Sequence, residues 1–154
     1  MTKFPRAPRR LELIFPRNPV YFITCCTYRR RPHLANDRVH KAFVKFGKRA
    51  ENDFGISVGR YVILTDHIHL FVRMPGEFKL SDWIGTLKRI LARAVQDDSD
   101  DPLWQRGFFD HVLRSSESYA EKWNYVRENP VRAGLVKRAE DWPFCGEIVA
   151  IYYD

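Results

Sequence analysis

The stretch Asp66-His67-Ile68-His69-Leu70-Phe71-Val72 holds residue types at a spacing that can do chemistry. Side chains alternate along an extended strand, so His67, His69 and Phe71 share one face and Ile68, Leu70 and Val72 the other. Two imidazoles on Cα atoms about 6.5 to 7 Å apart can converge on one metal ion while the isoleucine between them anchors the strand. The plainer alternative is a pair of histidines on an open sheet face, hydrogen-bonded to neighbours. Further along, Tyr119, Trp123 and Val126 recur at helical spacing as an apolar stripe, whereas Tyr125 and Asn129 sit together on another face, roughly 40° apart at 100° per residue. Tyr125 is therefore not placed as a core aromatic. A phenol beside an amide oxygen that could complete a His67, His69, Asn129 metal set suits nucleophilic attack on phosphorus. The alternatives are a surface tyrosine and a helix C-cap before Pro130. Asp66 either orients His67 or makes the turn.

These side chains need a frame. Val20 to Thr27 is a β-branched and aromatic run after an Asn18-Pro19 turn, a first strand. From Asn36 or Asp37, Val39, Phe43, Phe46, Ala50 and Phe54 recur with helical period until Gly55. Ile56 to Leu64 and His67 to Met74 read as a hairpin turned at Thr65-Asp66 and closed by Pro75-Gly76. Leu80, Trp83, Ile84, Leu87, Leu91 and Ala94 mark a second helix, with Lys88, Arg89 and Arg93 off its stripe and an acidic loop over 97–101. Phe108 to Arg114 is a fourth strand. A last helix begins near Ser118, at capping-box spacing from Glu121, and stops at Asn129 before Pro130. The order β-α-β-β-α-β predicts an α+β fold of the ferredoxin-like, split-βαβ kind. It is an antiparallel sheet with helices on one face, the other face available for a ligand, and an added C-terminal helix bearing Tyr125.

The chain has 154 residues, 45% of them hydrophobic and 29% charged, enough for one domain that buries about 70% of its unfolded surface. Disorder is excluded as the main state. No apolar run reaches the roughly 18 to 20 residues of a membrane span and no secretory h-region opens the chain, so a soluble intracellular protein is expected. Cys25, Cys26 and Cys145 are odd in number and read as reduced, mostly buried thiols. Net charge is +7, and all of it lies in the first 31 residues, where eight cations face only Glu12. A basic arm over residues 1–19 ahead of a domain over 20–154, followed by Arg29, Arg30 and Arg31, suits a polyanionic partner whose counterions are released on binding. A solubilising tail is the alternative.

His67-Ile68-His69, with Tyr125-Val126-Arg127-Glu128-Asn129-Pro130-Val131-Arg132-Ala133-Gly134-Leu135-Val136, resembles the single-tyrosine HUH transposases, specifically the REP-associated tyrosine transposase branch. The resemblance extends over nearly the whole chain, through Tyr21-Phe22-Ile23-Thr24 and the arginines after it, Trp104-Gln105-Arg106-Gly107-Phe108-Phe109-Asp110-His111, and Asp141-Trp142-Pro143-Phe144. Where the wider family has Tyr-x-x-x-Gln, this chain has Tyr-x-x-x-Asn, one methylene shorter.

The resemblance implies that Tyr125 is the nucleophile, that His67 and His69 bind a divalent metal, Mg or Mn, and that Asn129 is the third ligand. Zn²⁺ would bind the same set as an inhibitor or a crystal passenger rather than as the working ion. It implies cleavage and rejoining of single-stranded DNA with hairpins, of REP-like palindrome type, through a 5′-phosphotyrosine adduct and a free 3′-OH. One phosphodiester replaces another, so no ATP is needed. A phenol ordinarily ionises near pH 10, so its proton must leave during attack, and no clear base stands in the sequence. Lys122, one turn before Tyr125, either assists that loss or contacts phosphate.

Arg29, Arg30, Arg31, Lys122, Arg127 and Arg132 are the expected DNA contacts, with Tyr28 or Trp104 stacking on a base. His111 supports the site or the fold. The expected protein is a cytoplasmic, nucleoid-associated monomer or homodimer, its site formed in cis or across subunits. A non-catalytic nucleic-acid-binding module of RRM-like fold is the competing reading, weakened by the lack of an Arg-Gly-Phe-Gly-Phe run. A histidine-triad hydrolase would need histidine where Phe71 stands.

Overall fold

A computed structural model describes residues 18–95 and 97–153, so most of the basic arm expected over 1–19 lies outside the described residues. β1 (Val20–Cys26) comes first. α1 (Asp37–Phe54) starts where the Asn36 side chain accepts the Val39 N–H at 3.0 Å and ends at Gly55, whose φ of 66° is open to a residue without Cβ. β2 (Ser57–Ile63) and β3 (His67–Arg73) form the expected hairpin, closed by Leu64 N–H donating to the His67 carbonyl at 2.8 Å. α2 (Leu80–Ala94) and β4 (Phe109–Leu113) follow, β4 one residue shorter at each end than its sequence run.

The sheet runs β4-β1-β3-β2 with every pair antiparallel, the ferredoxin-like order, and gains a fifth strand beside β2. That strand, β5 (Cys145–Glu147), is three residues long and was not foreseen. It is fastened by Trp142, whose indole N–H donates to the Ile63 carbonyl at 2.9 Å. The main core lies under α1 and α2: Ile68, Leu70 and Val72 pack with Val39, Phe43, Trp83, Ile84, Leu87 and Leu91, all essentially inaccessible to water. All three cysteines are free thiols; Cys25 and Cys26 are buried, and burial pushes the Cys25 thiol up to about 12. Among the described residues no helix is long and apolar enough to cross a membrane.

Two expectations change. The opposite sheet face is not simply open, because α3 (Ser116–Val126) crosses it. Tyr119 stacks on Phe71 at 4.6 Å between ring centroids, and Val126 joins Val62, Leu64 and Trp142 in a third cluster. The stripe of Tyr119, Trp123 and Val126 needed an apolar partner, and Phe71 with Val62 supplies it. α3 also begins earlier and ends sooner than the sequence pattern suggests. Ser115, rather than Ser118, is the cap, its hydroxyl accepting the Ser118 N–H at 3.1 Å. Beyond Val126 a separate turn, α4 (Asn129–Arg132), restarts with Pro130 inside its first turn, where the missing N–H costs nothing.

A bulge in β2 anchors α3. Pairing with β3 shifts between Val58 and Tyr61, and the Arg60 N–H released there donates to the Tyr119 hydroxyl at 3.0 Å. Gly59 makes room: a Cβ on it would lie 2.5 Å from that hydroxyl. The bulge thus fixes where α3 sits, and with it Tyr125, two turns on.

Candidate active site

The β1–β3 register sets Thr24 opposite His69 and Cys26 opposite His67. On one face this places the two histidines beside Thr24, with their ring centroids 4.8 Å apart. Each imidazole is held by its Nδ1. Thr24 Oγ1 lies 2.8 Å from His69 Nδ1, and Asp66 Oδ1 lies 2.7 Å from His67 Nδ1. An ionised Asp66 can only accept, so the His67 proton sits on Nδ1. Nε2 is then the atom left on each ring for a cation, the arrangement in which an outer hydrogen bond orients a metal-binding histidine. Asp66 therefore does orient His67, one of the two roles its place allowed.

Asp66 is itself held, with Arg30 Nε donating to Oδ2 at 2.9 Å. Burial pushes the Asp66 carboxyl up, but the hydrogen bonds from Arg30 and His67 outweigh it and keep the group below its ordinary value. Arg30 also stands 3.4 Å from both His67 Nδ1 and Cys26 Sγ. It reaches this position from a tight 3-10 turn in which Arg29 and Arg30 both take positive φ, 54° and 55°. Two successive side chains in the left-handed region are costly, and here the turn delivers a guanidinium to the carboxylate that aligns His67.

His69 is driven down to about 3, chiefly by burial and then by the charges of His67, Lys122, Arg132 and Arg30. It is accordingly neutral across the physiological range, the form that binds a cation. Phe22 stacks on its ring at 5.2 Å and 19°, and Lys122 Nζ sits 5.1 Å from the centroid of the Phe22 ring.

Tyr125 lies on the exposed side of α3, 64% accessible, and shares with His67 and His69 a cavity of about 440 Å³ that Asp66, Asn129 and Arg132 also line. All three expected reacting residues thus meet within one chain. Asn129 is in the cavity, but its amide oxygen accepts a hydrogen bond from Arg132 Nη2, which also donates to the Tyr125 carbonyl at 2.7 Å. The Arg132 guanidinium covers the Tyr125 ring at 4.0 Å. Among the described residues no group of three His, Cys, Asp or Glu could hold a metal ion. The donor set is therefore two imidazoles and, where Arg132 gives way, one amide oxygen. Such a set suits a divalent cation that keeps positions open for phosphate oxygens.

The expected DNA contacts divide. Arg132 lines the cavity, Lys122 stands over Phe22 close enough for its charge to act on His69, and Arg30 supports the site through Asp66. Arg29 is exposed beside the Tyr28 ring, 5.1 Å from its centroid. Arg31 turns away: it pairs with Asp97 at 3.3 Å and donates to the Pro102 carbonyl, which pins the acidic loop. Arg127 faces Glu140 at 3.8 Å. Trp104 is fixed by its indole N–H to the Lys88 carbonyl and bridges Thr27, a structural placement rather than a stacking one. Thr24 and Phe22 went unnoticed in the sequence as parts of the site, because only the register of β1 against β3 assigns them to the histidines.

Residues 18–129 match the family model described as "Transposase IS200 like". A REP-associated tyrosine transposase of Escherichia coli K12 is 28% identical over 97 residues, 62% of this chain and 57% of that protein. A Haemophilus influenzae protein provisionally given the same name is 25% identical over 142 residues, 84% of this chain and 80% of its own length. The solved structure of a REP-associated tyrosine transposase bound to a REP hairpin superposes with a TM-score of 0.68 at 26% identity, covering 83% of this chain and 76% of the other. A Deinococcus radiodurans structure, 17% identical with a TM-score of 0.50 over 71% of this chain and 88% of its own, shares the fold.

Proposed function

The chain belongs to the IS200-like transposase family, and from that premise we propose that it cleaves and rejoins hairpin-bearing single-stranded DNA with Tyr125 as nucleophile. One observation carries this reading: the Tyr125 side chain and both imidazoles of the His67-Ile68-His69 strand line the same open cavity of about 440 Å³. The relative bound to a REP hairpin supports a palindromic, hairpin-forming substrate.

The Tyr125 oxygen attacks phosphorus in line. The O–P bond forms, the bond to the 3′ oxygen of the preceding nucleotide breaks, the phenolic proton passes to solvent and the leaving 3′ oxygen takes a proton up from solvent. The products are a 5′-phosphotyrosine and a free 3′-OH. Attack by that or another 3′-OH reverses the step and restores a phosphodiester, conserving the energy of the bond. His67 and His69, with Asn129 where Arg132 releases it, would hold a divalent cation, Mg or Mn. Such a cation would supply Lewis-acid stabilisation of the charge that gathers on the phosphate. Thr24 and Asp66 keep both rings turned for it. Lys122 and Arg132 add positive charge where the pentavalent phosphorus gathers negative charge. Arg132 also holds the Tyr125 ring in place by cation–π contact. Arg29 and the charge of the basic arm over 1–19 add to the attraction of the domain over 20–154 for a phosphate backbone, and the DNA substrate goes with a cytoplasmic site of action.

The test is incubation with Mn²⁺ and a labelled hairpin oligonucleotide, followed by a denaturing gel. A covalent protein–DNA band is expected, absent in Tyr125→Phe and in His67→Ala and abolished by EDTA. Tight binding with no such band, on a range of hairpins and metals, would instead establish a non-catalytic binding module.

A further inference from the structure

We propose that the outer end of β4, Phe109 with His111, is a stacking subsite for unpaired bases of the DNA strand that enters the cavity of Tyr125 and the two histidines. The subsite rests on the nicking reading above and extends it to how the single strand is held.

Phe109 is 64% accessible, the ring of a large apolar residue left in water on a regular strand. It lies on a particular face. β4 pairs with β1 so that Phe109 stands opposite Thr24 and His111 opposite Phe22, and β1 pairs with β3 so that Thr24 stands opposite His69 and Phe22 opposite Phe71. Side chains in line across an antiparallel sheet share a face, so Phe109, Thr24 and His69 form one row and His111, Phe22 and Phe71 the next. Two strand spacings put the Phe109 Cα about 10 Å from that of His69.

α3 explains why this end stays open. It leaves β4 after Leu113 and crosses toward β2, packing Tyr119 on Phe71 and Val126 beside Val62. Leu113 is covered, whereas Phe109 and His111 remain exposed. The row between them and the cavity is aromatic and cationic. Phe22 stacks on His69 at 5.2 Å, and Lys122 stands 5.1 Å over the Phe22 ring. A flat ring in water, in register with His69 and one row from the Phe22 ring that Lys122 covers, matches what an unpaired nucleotide offers: a π-face to stack and a phosphate to pair. Stacking of this kind is tolerant of base identity. β4 is also the edge of the sheet, where a second copy of the chain could pair strand to strand. The register with His69 and the cation over Phe22 favour DNA, and the experiment separates the two.

Fluorescence anisotropy measures binding to two oligonucleotides in EDTA, a hairpin alone and the same hairpin with a single-stranded flank on either side carrying 2-aminopurine. Phe109→Ala should weaken the flanked oligonucleotide about 5- to 100-fold, the loss expected of a base–aromatic stack, and leave the bare hairpin unchanged. Phe109→Trp should retain binding and the quenching of 2-aminopurine, which Phe109→Ala relieves. Phe109 is exposed, so an unaltered Tm accompanies both variants. Equal affinity of wild type and Phe109→Ala for the flanked strand overturns the subsite while the covalent band of Tyr125 stands. A mass by light scattering that falls from dimer to monomer in Phe109→Ala, with DNA affinity unchanged, assigns the edge to self-association and also overturns it. No binding of either oligonucleotide by wild type removes both the subsite and the nicking reading.

Discussion

Asp66→Ala should separate the alignment of the site from the stability of the fold. Asp66 uses both carboxylate oxygens, Oδ1 on His67 Nδ1 at 2.7 Å and Oδ2 on Arg30 Nε at 2.9 Å. Removing it frees the His67 ring to rotate and to move its proton, and strands the Arg30 guanidinium 3.4 Å from Nδ1. Loss of such an outer hydrogen bond lowers metal affinity about 10- to 100-fold, or about 1.4 to 2.7 kcal/mol. The effect on folding is smaller. Arg30 is 53% exposed, so solvent screens its pair with Asp66 to about 0 to 1 kcal/mol. The Asp66 carbonyl keeps its bonds from Thr27 N–H and Thr27 Oγ1 in any variant. Mn²⁺ titration by calorimetry on a Tyr125→Phe background, where no adduct forms, should show the affinity loss with a Tm within a few degrees of the parent. The covalent band of the single variant should return at high Mn²⁺. Asp66→Asn keeps an acceptor without the charge and should fall between. Mn²⁺ binding as tight in Asp66→Ala as in the parent would refute the reasoning, because Asp66 would then only shape the turn.

Thr24→Val removes the hydroxyl 2.8 Å from His69 Nδ1 at nearly constant volume and should likewise weaken Mn²⁺ binding by about tenfold or more, read by the same titration. Tyr119→Phe deletes the acceptor of the Arg60 N–H in the β2 bulge; an unpaired buried donor costs about 1 to 3 kcal/mol, so urea unfolding should show that loss and Tm should drop by about 2 to 12 °C. His69, held down to about 3, and His40, lowered by burial against the pull of Asp37, both bind their protons more weakly folded than unfolded. The unfolded chain therefore takes up more protons below about pH 6.5, and the metal-free protein should lose stability as pH falls from there, His69 contributing up to about 1.4 kcal/mol per pH unit until about pH 3. His69→Gln should flatten that slope in urea melts at a series of pH values, and an unchanged slope would show that the ring is not held neutral.

How much of this was legible from the sequence depended on whether a signal was local. α1 has its own cap, stripe and glycine stop, Asn36 to Gly55, and α2 follows its apolar period from Leu80 to Ala94; both were readable because 3.6-residue periodicity belongs to one segment. The hairpin of β2 and β3 set the histidines on one face for the same reason. β5 was not readable: three residues around Gly146 make no pattern, and only β2 and the Trp142 indole bond make them a strand. The start of α3 depended on Ser115 outcompeting Ser118 as cap, and its break from α4 on Pro130 opening a turn as readily as closing one. Within the site, spacing told which side chains share a face but not which of their atoms are already taken. Asn129 stands where a third ligand was expected, yet its amide oxygen accepts from Arg132, three residues on and on the next surface position of the same short helix. Arg31 looked equivalent to Arg30 in the cluster Arg29-Arg30-Arg31, yet one aligns His67 through Asp66 and the other ties down Asp97. Two consecutive left-handed residues, Arg29 and Arg30, send these neighbours in different directions, and backbone conformation of that kind leaves no trace in composition or period. The difference between an arginine that holds a histidine in place and one that pins an acidic loop was therefore written in the chain's path, not in its residue types.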